Sequence, residues 1–268
     1  MNNVIPFPTA ESLDKKIEEY RQEAVNLSVQ RDELNFIYYR QLWIDYNEKI
    51  LSKTIENMKI AFQDHYLRSC FDYAVSRLDR KRAYEISLEG VFKEEYELNC
   101  LNADNSLISG ATLTDNASYT KASERVKKEA KQLFTRITAY LQPEINPNCL
   151  DRIRFFESAR QAYSCANLTQ LKKIDDMTTP QLIKKAETLK EKKDEIDRLK
   201  ALIEHFHDDI EDLLDPYDCE YKDIMEDEEL FEETVESLLC EKEELEKRLQ
   251  RTKQLIQKHI YGESEEEQ

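Results

Sequence analysis

An all-α protein made of long helices is the fold this sequence predicts, and three observations predict it. The chain of 268 residues holds three glycines and six prolines, too few turn formers for a strand-rich fold. Charged residues make up 35% and apolar ones 40%, a balance that suits apolar seams on solvated helices better than one thick core. Apolar residues also recur at steps of three, four and seven over most of the length. The expected architecture is elongated, with long helices and coiled-coil-like helical hairpins flanking a small helical module.

Residues 1–10 read as a flexible leader, because Pro6 and Pro8 oppose helix, and Thr9 or Ser12 can cap the first helix. Residues 11–101 form an N-terminal helical or coiled-coil region. Its seam is Leu13, Ile17, Tyr20, Ala24, Leu27, Leu34 and Tyr38, with Arg31 filling the one polar slot. Residues 36–46 are rich in large side chains and predict packing on several sides rather than an aromatic ligand site. Helical spacing continues through Ile55, Met58, Phe62, Tyr66, Phe71, Val75 and Leu78 to about Leu101, with a reversal expected near 79–82. Residues 102–118 are polar, contain Gly110 and read as a linker.

The small module spans 119–176. Thr178-Thr179-Pro180 then marks a boundary, with Thr179 as N-cap and Pro180 in the first helical position. Over 180–261 there are two more seams, Ile196, Leu199, Ile203, Phe206, Ile210 and Leu213, then Phe231, Val235, Leu238, Leu245, Leu249 and Ile256. With Asp215-Pro216-Tyr217-Asp218 between them they predict an antiparallel coiled-coil hairpin. Residues 262–268 read as a disordered acidic tail.

The net charge of −17 argues against nucleic acid as a partner, since phosphate binding needs a basic footprint. The module is the exception: over 119–176 eleven Lys or Arg stand against seven Asp or Glu. Six scattered cysteines form no C-x-x-C pair and read as reduced thiols. The first residues lack the basic-then-apolar pattern of a signal peptide, and no apolar run approaches the ~20 residues of a membrane span. A cytoplasmic protein without membrane contact is the expectation.

No catalytic constellation emerges. Three isolated glycines cannot build a phosphate-cradling loop. His205 and His207 are two apart and point to different helix faces. Glu226-Asp227-Glu228-Glu229 lacks the spacing and glycine of a calcium loop and reads as a solvated face. The chain is expected not to be an enzyme, with no catalytic residues, metal ligands or cofactor.

The most specific stretch is Leu141-Gln142-Pro143-Glu144-Ile145-Asn146-Pro147. It lies between a helix with Val126, Ala130, Leu133, Phe134, Ile137 and Leu141 on its apolar face and a helix with Phe155 or Phe156, Ala159, Ala162 and Tyr163. This arrangement resembles the J-domain of DnaJ-type co-chaperones, in which the loop carries His-Pro-Asp. The resemblance covers residues 120–175. It implies that Arg125, Lys127, Lys128, Lys131 and Arg136 form the basic surface offered to a DnaK-type chaperone, and that Gln142, Pro143 and Glu144 occupy the coupling loop.

The departures bear on activity. Gln142 cannot carry the positive charge available to histidine, and Glu144 sets its carboxylate one methylene further out than aspartate. Losing a charge-assisted contact costs about 1.5–3 kcal/mol. The expectation is a non-enzymatic J-like co-chaperone or adaptor that does not stimulate the ATPase of a DnaK-type partner, with self-association through coiled coils as a further property. The alternative is a structural or assembly protein acting through helix–helix contacts.

Overall fold

A computed structural model describes residues 10–111, 117–178, 185–214 and 220–262. The fold is all-α, with no strand among the described residues. Its helices are α1 (Ala10–Glu33), α2 (Tyr39–Tyr46), α3 (Ser52–Val75), α4 (Arg80–Ile86), α5 (Lys93–Ala111) and α6 (Ala117–Lys121). After them come α7 (Glu124–Leu141), α8 (Ile153–Ser164), α9 (Leu168–Asp175), α10 (Leu189–Leu214), α11 (Glu220–Glu226) and α12 (Glu228–Ile256). π-helical turns at Leu34–Tyr38 and Asn47–Leu51 join the first three helices without a loop. The chain divides into two compact units, Met1–Gln41 with Asp115–Cys219, and Leu42–Thr114 with Glu220–Gln268.

In the first unit α1 lies along α10. The ion pairs Asp14–Lys192 (2.6 Å), Arg21–Glu195 (3.3 Å) and Arg31–Asp209 (2.7 Å) ascend in number on both helices, so the two run parallel. α7 also packs on α1 and contributes Ala130, Leu133, Phe134, Ile137 and Leu141 at steps of three and four, all buried. They meet Phe156, Ala159, Ala162 and Tyr163 of α8, Leu171 and Ile174 of α9, and Val29 of α1. Phe134 stacks on Tyr163 with ring centroids 4.5 Å apart, and on Phe156 at 5.9 Å. The structure thereby selects Phe156 as the core aromatic of its helix, while Phe155 is 45% exposed.

The buried face of α1 is wider than the heptad seam. Leu13 and Ala24 are buried as expected, but so are Arg21, Val25, Ser28, Val29 and Asp32, whereas Tyr38 is exposed. A helix covered from two directions buries a broad stripe, not the narrow seam of a two-helix pair.

In the second unit α3 and α12 pair in the same parallel sense. Glu56 bridges Lys242 at 2.6 Å, Asn57 Nδ2 donates to the Leu238 carbonyl at 2.9 Å, and Asp64 bridges Arg248 at 2.7 Å. Cys70, Ala74, Ala83, Tyr84, Ile256 and Ile260 form the core. α3 ends at Val75, and Asp79 caps α4 by accepting from the Arg82 N–H, next to the reversal expected at 79–82.

Asp64 fixes the α3–α12 register. Its buried carboxylate accepts from Thr252 Oγ1 at 2.6 Å and from Arg248 Nε at 2.7 Å, with Arg68 Nε at 3.1 Å. Burial alone would raise its pKa. The hydrogen bonds from Thr252 and Arg68, with the Arg68 and Arg248 charges, outweigh burial and hold it below the usual aspartate range. A depressed carboxylate binds fewer protons folded than unfolded. Its contribution is therefore full above the usual aspartate value and drains away as pH falls through the depressed one. Asp64→Asn is expected to cost about 2–3 kcal/mol and to flatten acid sensitivity over that window. The fluorescence of Trp43, the one tryptophan of the chain and a neighbour of Tyr221 in this unit, reads both effects during denaturation at several pH values. An unchanged midpoint would show that the register is set elsewhere.

One expectation is corrected. α5 continues through residues 102–111, so the first part of the 102–118 stretch is helix rather than linker; residues 112–116 lie outside the described residues. Each of the two C-terminal seams has a helical partner inside its own unit. α10 packs on α1 and α12 on α3, each in parallel, because a seam specifies a buried stripe without specifying its partner. The leader up to residue 9, Thr179-Pro180, the Asp215–Asp218 turn and the acidic tail from residue 263 lie outside the described residues.

Candidate functional site

The Gln142-Pro143-Glu144 loop begins where α7 stops. Proline disfavours helical backbone in the residue before it, and Gln142 is extended with φ −63° and ψ 117°. The turn closes through the Asn146 N–H, which donates to the Gln142 carbonyl at 2.8 Å. Asn146 Nδ2 donates to the Ala139 carbonyl at 2.9 Å, satisfying an acceptor left over at the helix C-terminus. Ile145, fully buried, anchors the loop among Ala24 and Val25 of α1 and Ile203 and Phe206 of α10.

The polar side chains of this loop are engaged inside the unit. Gln142 is only 2% exposed, and its Nε2 donates to Ser28 Oγ at 3.0 Å and to Glu144 Oε2 at 2.9 Å. Arg31 Nη2 donates to the same Glu144 oxygen at 2.9 Å, while Arg31 Nη1 reaches Asp209 at 2.7 Å. The Arg31 guanidinium also lies 4.6 Å from the Phe206 ring centroid. Burial would lower the Arg31 pKa, but the hydrogen bonds to Glu144 and Asp209 outweigh it and raise it. From α10, Arg198 donates to the Glu144 and Ile145 carbonyls, each at 2.9 Å. Pro143 is half-buried.

The five basic residues of α7 separate into two groups. Lys131 donates to Glu33 at 2.8 Å, Arg136 to Asp175 at 2.6 Å, and Lys127 to Glu124 at 2.8 Å. Glu33 also accepts from the buried Tyr163 hydroxyl; burial first, and then the Glu33 carboxylate, drives that phenol's pKa upward. Arg125 and Lys128 are exposed and make no ion pair among the described residues. Nearby, Arg160 pairs with the buried Asp32 at 3.1 Å and lies against the Phe36 and Phe156 rings. Burial raises the Asp32 pKa, and Arg160 only partly opposes it.

Among the described residues no group of three or more His, Cys, Asp or Glu side chains is placed to hold a metal ion, and no helix is long and apolar enough to cross a membrane. The arrangement is suited to holding helices in register. The residues that sequence reasoning passed over are those gripping the loop from outside it: Arg21, Ser28, Arg31 and Arg198. Only Arg31 left a trace, as the charged residue in a core slot of the α1 seam. No family model, curated protein or solved structure matches the chain.

Proposed function

We propose that this protein is a non-enzymatic J-like adaptor whose Gln-Pro-Glu loop braces its own helices and does not drive the ATPase of a DnaK-type chaperone. The observation that carries this reading is that both loop side chains already have partners inside the unit, Gln142 with Ser28 and Glu144 with Arg31. A loop whose Gln142 is enclosed and whose Glu144 is tied to Arg31 is poorly placed to couple docking to hydrolysis. Arg125 and Lys128 remain open on α7, and they suit an acidic protein surface by charge attraction in solution.

The test is a steady-state ATPase assay with a DnaK-type chaperone. The unmodified protein is expected to give no stimulation. Gln142→His with Glu144→Asp is expected to give none either, because Arg198 and Ile145 still hold the loop backbone. Strong stimulation by the unmodified protein overturns the reading. In a lysate pull-down, a DnaK-type chaperone should be recovered and then lost on Arg125→Glu with Lys128→Glu. Recovery of only the protein itself or another helical partner favours the structural or assembly role instead.

A further inference from the structure

Beside the loop, on the side facing the first half of α1 and α10, lies a cavity of about 240 Å3. At roughly 30 Å3 per water it holds several waters, or a small ion with part of its shell. Two guanidiniums line it, Arg21 and Arg198, together with Glu195, Asn146 and Asn148. Arg21 is 9% exposed, yet only two of its nitrogens are engaged: Nη1 with Asn146 Oδ1 and Nη2 with Glu195. Guanidinium offers five N–H donors, so Nε–H and one hydrogen on each terminal nitrogen have no acceptor among the described residues. The Asn148 amide has no hydrogen-bond partner among the described residues.

Charge points the same way. Glu195 is shared by both arginines, because Arg198 Nε and Nη2 also donate to it at 2.8 and 2.9 Å. Burial lowers the Arg21 pKa, and the Arg198 charge adds to that, while Glu195 and Glu18 oppose it. Glu18 is exposed on α1, where solvent and salt screen it. The buried Arg21 and the half-buried Arg198 share one carboxylate, which leaves an excess of one positive charge at the cavity wall.

We propose that this cavity is a binding site for a small oxyanion, a phosphate or carboxylate group, held by Arg21, Arg198 and Asn148. The planar, always-charged guanidinium fork matches such a group through paired hydrogen bonds. The occupant bridges α1, α10 and the Asn146 end of the loop, so its binding stiffens the loop and raises thermal stability by mass action.

The test is a titration of the full chain with inorganic phosphate, following arginine Nε–H resonances and melting temperature, with chloride at equal ionic strength as control. One Nε–H resonance, identified as Arg21 by its loss in Arg21→Lys, should shift saturably with phosphate and not with chloride. Asn148→Asp, on the rim and outside the core, should weaken binding about tenfold by placing a carboxylate there. Glu195→Gln should tighten it. A parallel titration with a glutamate-rich peptide separates the sources: saturation by the peptide alone identifies a protein carboxylate, and by phosphate alone a free phosphate. No saturable shift with either ligand, or equal binding by Asn148→Asp and the unmodified chain, overturns the proposal and leaves the cavity as a water site.

Discussion

Phe134→Ala is expected to remove about 3–5 kcal/mol of stability, the range for deleting a core phenylalanine and leaving a cavity. Phe134 has no exposed surface and packs α7 against α8, with Tyr163 stacked at 4.5 Å and Phe156 at 5.9 Å. Both partner rings are themselves pinned: the Tyr163 hydroxyl is bound to Glu33, and Phe156 is covered by the Arg160 guanidinium. The site therefore collapses poorly around a smaller side chain, which places the loss toward the upper end. Phe155→Ala, one residue from Phe156 and 45% exposed, is the internal control and should change stability by no more than about 0.5 kcal/mol. Urea denaturation combined with hydrogen exchange over α7, α8 and α9 measures both variants. Equal effects from Phe134→Ala and Phe155→Ala would falsify this description of the core.

Arg31→Met should have the second largest effect, a loss of about 2–3 kcal/mol. The side chain is 14% exposed and bridges two carboxylates, Glu144 of the loop and Asp209 of α10, while lying on Phe206. Methionine keeps most of the apolar stem and loses both charge-assisted bonds and the ring contact. Glu144 and Asp209 are 41% and 30% exposed, so water recovers part of the loss, which keeps the figure below that of a fully enclosed pair. Arg31→Lys should fall between the two, because a single ammonium cannot span both carboxylates in the same geometry. The loop should respond locally as well: amide exchange at Glu144, Ile145 and Asn146 should quicken in Arg31→Met. Unchanged exchange there, with stability lost, would mean that Arg31 serves the α1–α10 contact alone.

How far the sequence speaks differs between fold and site. Most of the α7 face was legible, since Ala130, Leu133, Phe134, Ile137 and Leu141 follow the helical period and are all buried, while Val126, read onto the same face, is half-buried. The loop was legible as a helix terminator, because Pro143 acts on the residue before it whatever the surroundings. Its environment was not. Nothing in the sequence marks Gln142 as enclosed, and only the approach of Ser28 from 114 positions away gives it an interior partner. The polar run 102–111 misled in the opposite direction: residues that favour turns in isolation continue α5, since propensity is a weak prior that packing overrides.

Local pattern alone makes this protein helical, selects many of the stripes its helices bury and ends α7 where it does. Those are consequences of backbone preference and period, which act over a few neighbours. Which stripe meets which is settled only by long-range packing, which pairs α1 with α10 and α3 with α12 in parallel across most of the chain length. Apolar seams are interchangeable, so the choice falls to charges such as Asp14 with Lys192 and Asp64 with Arg248, whose partners lie 178 and 184 positions apart. The same long-range packing brings Arg31 of α1 to Glu144 of the loop, 113 positions away.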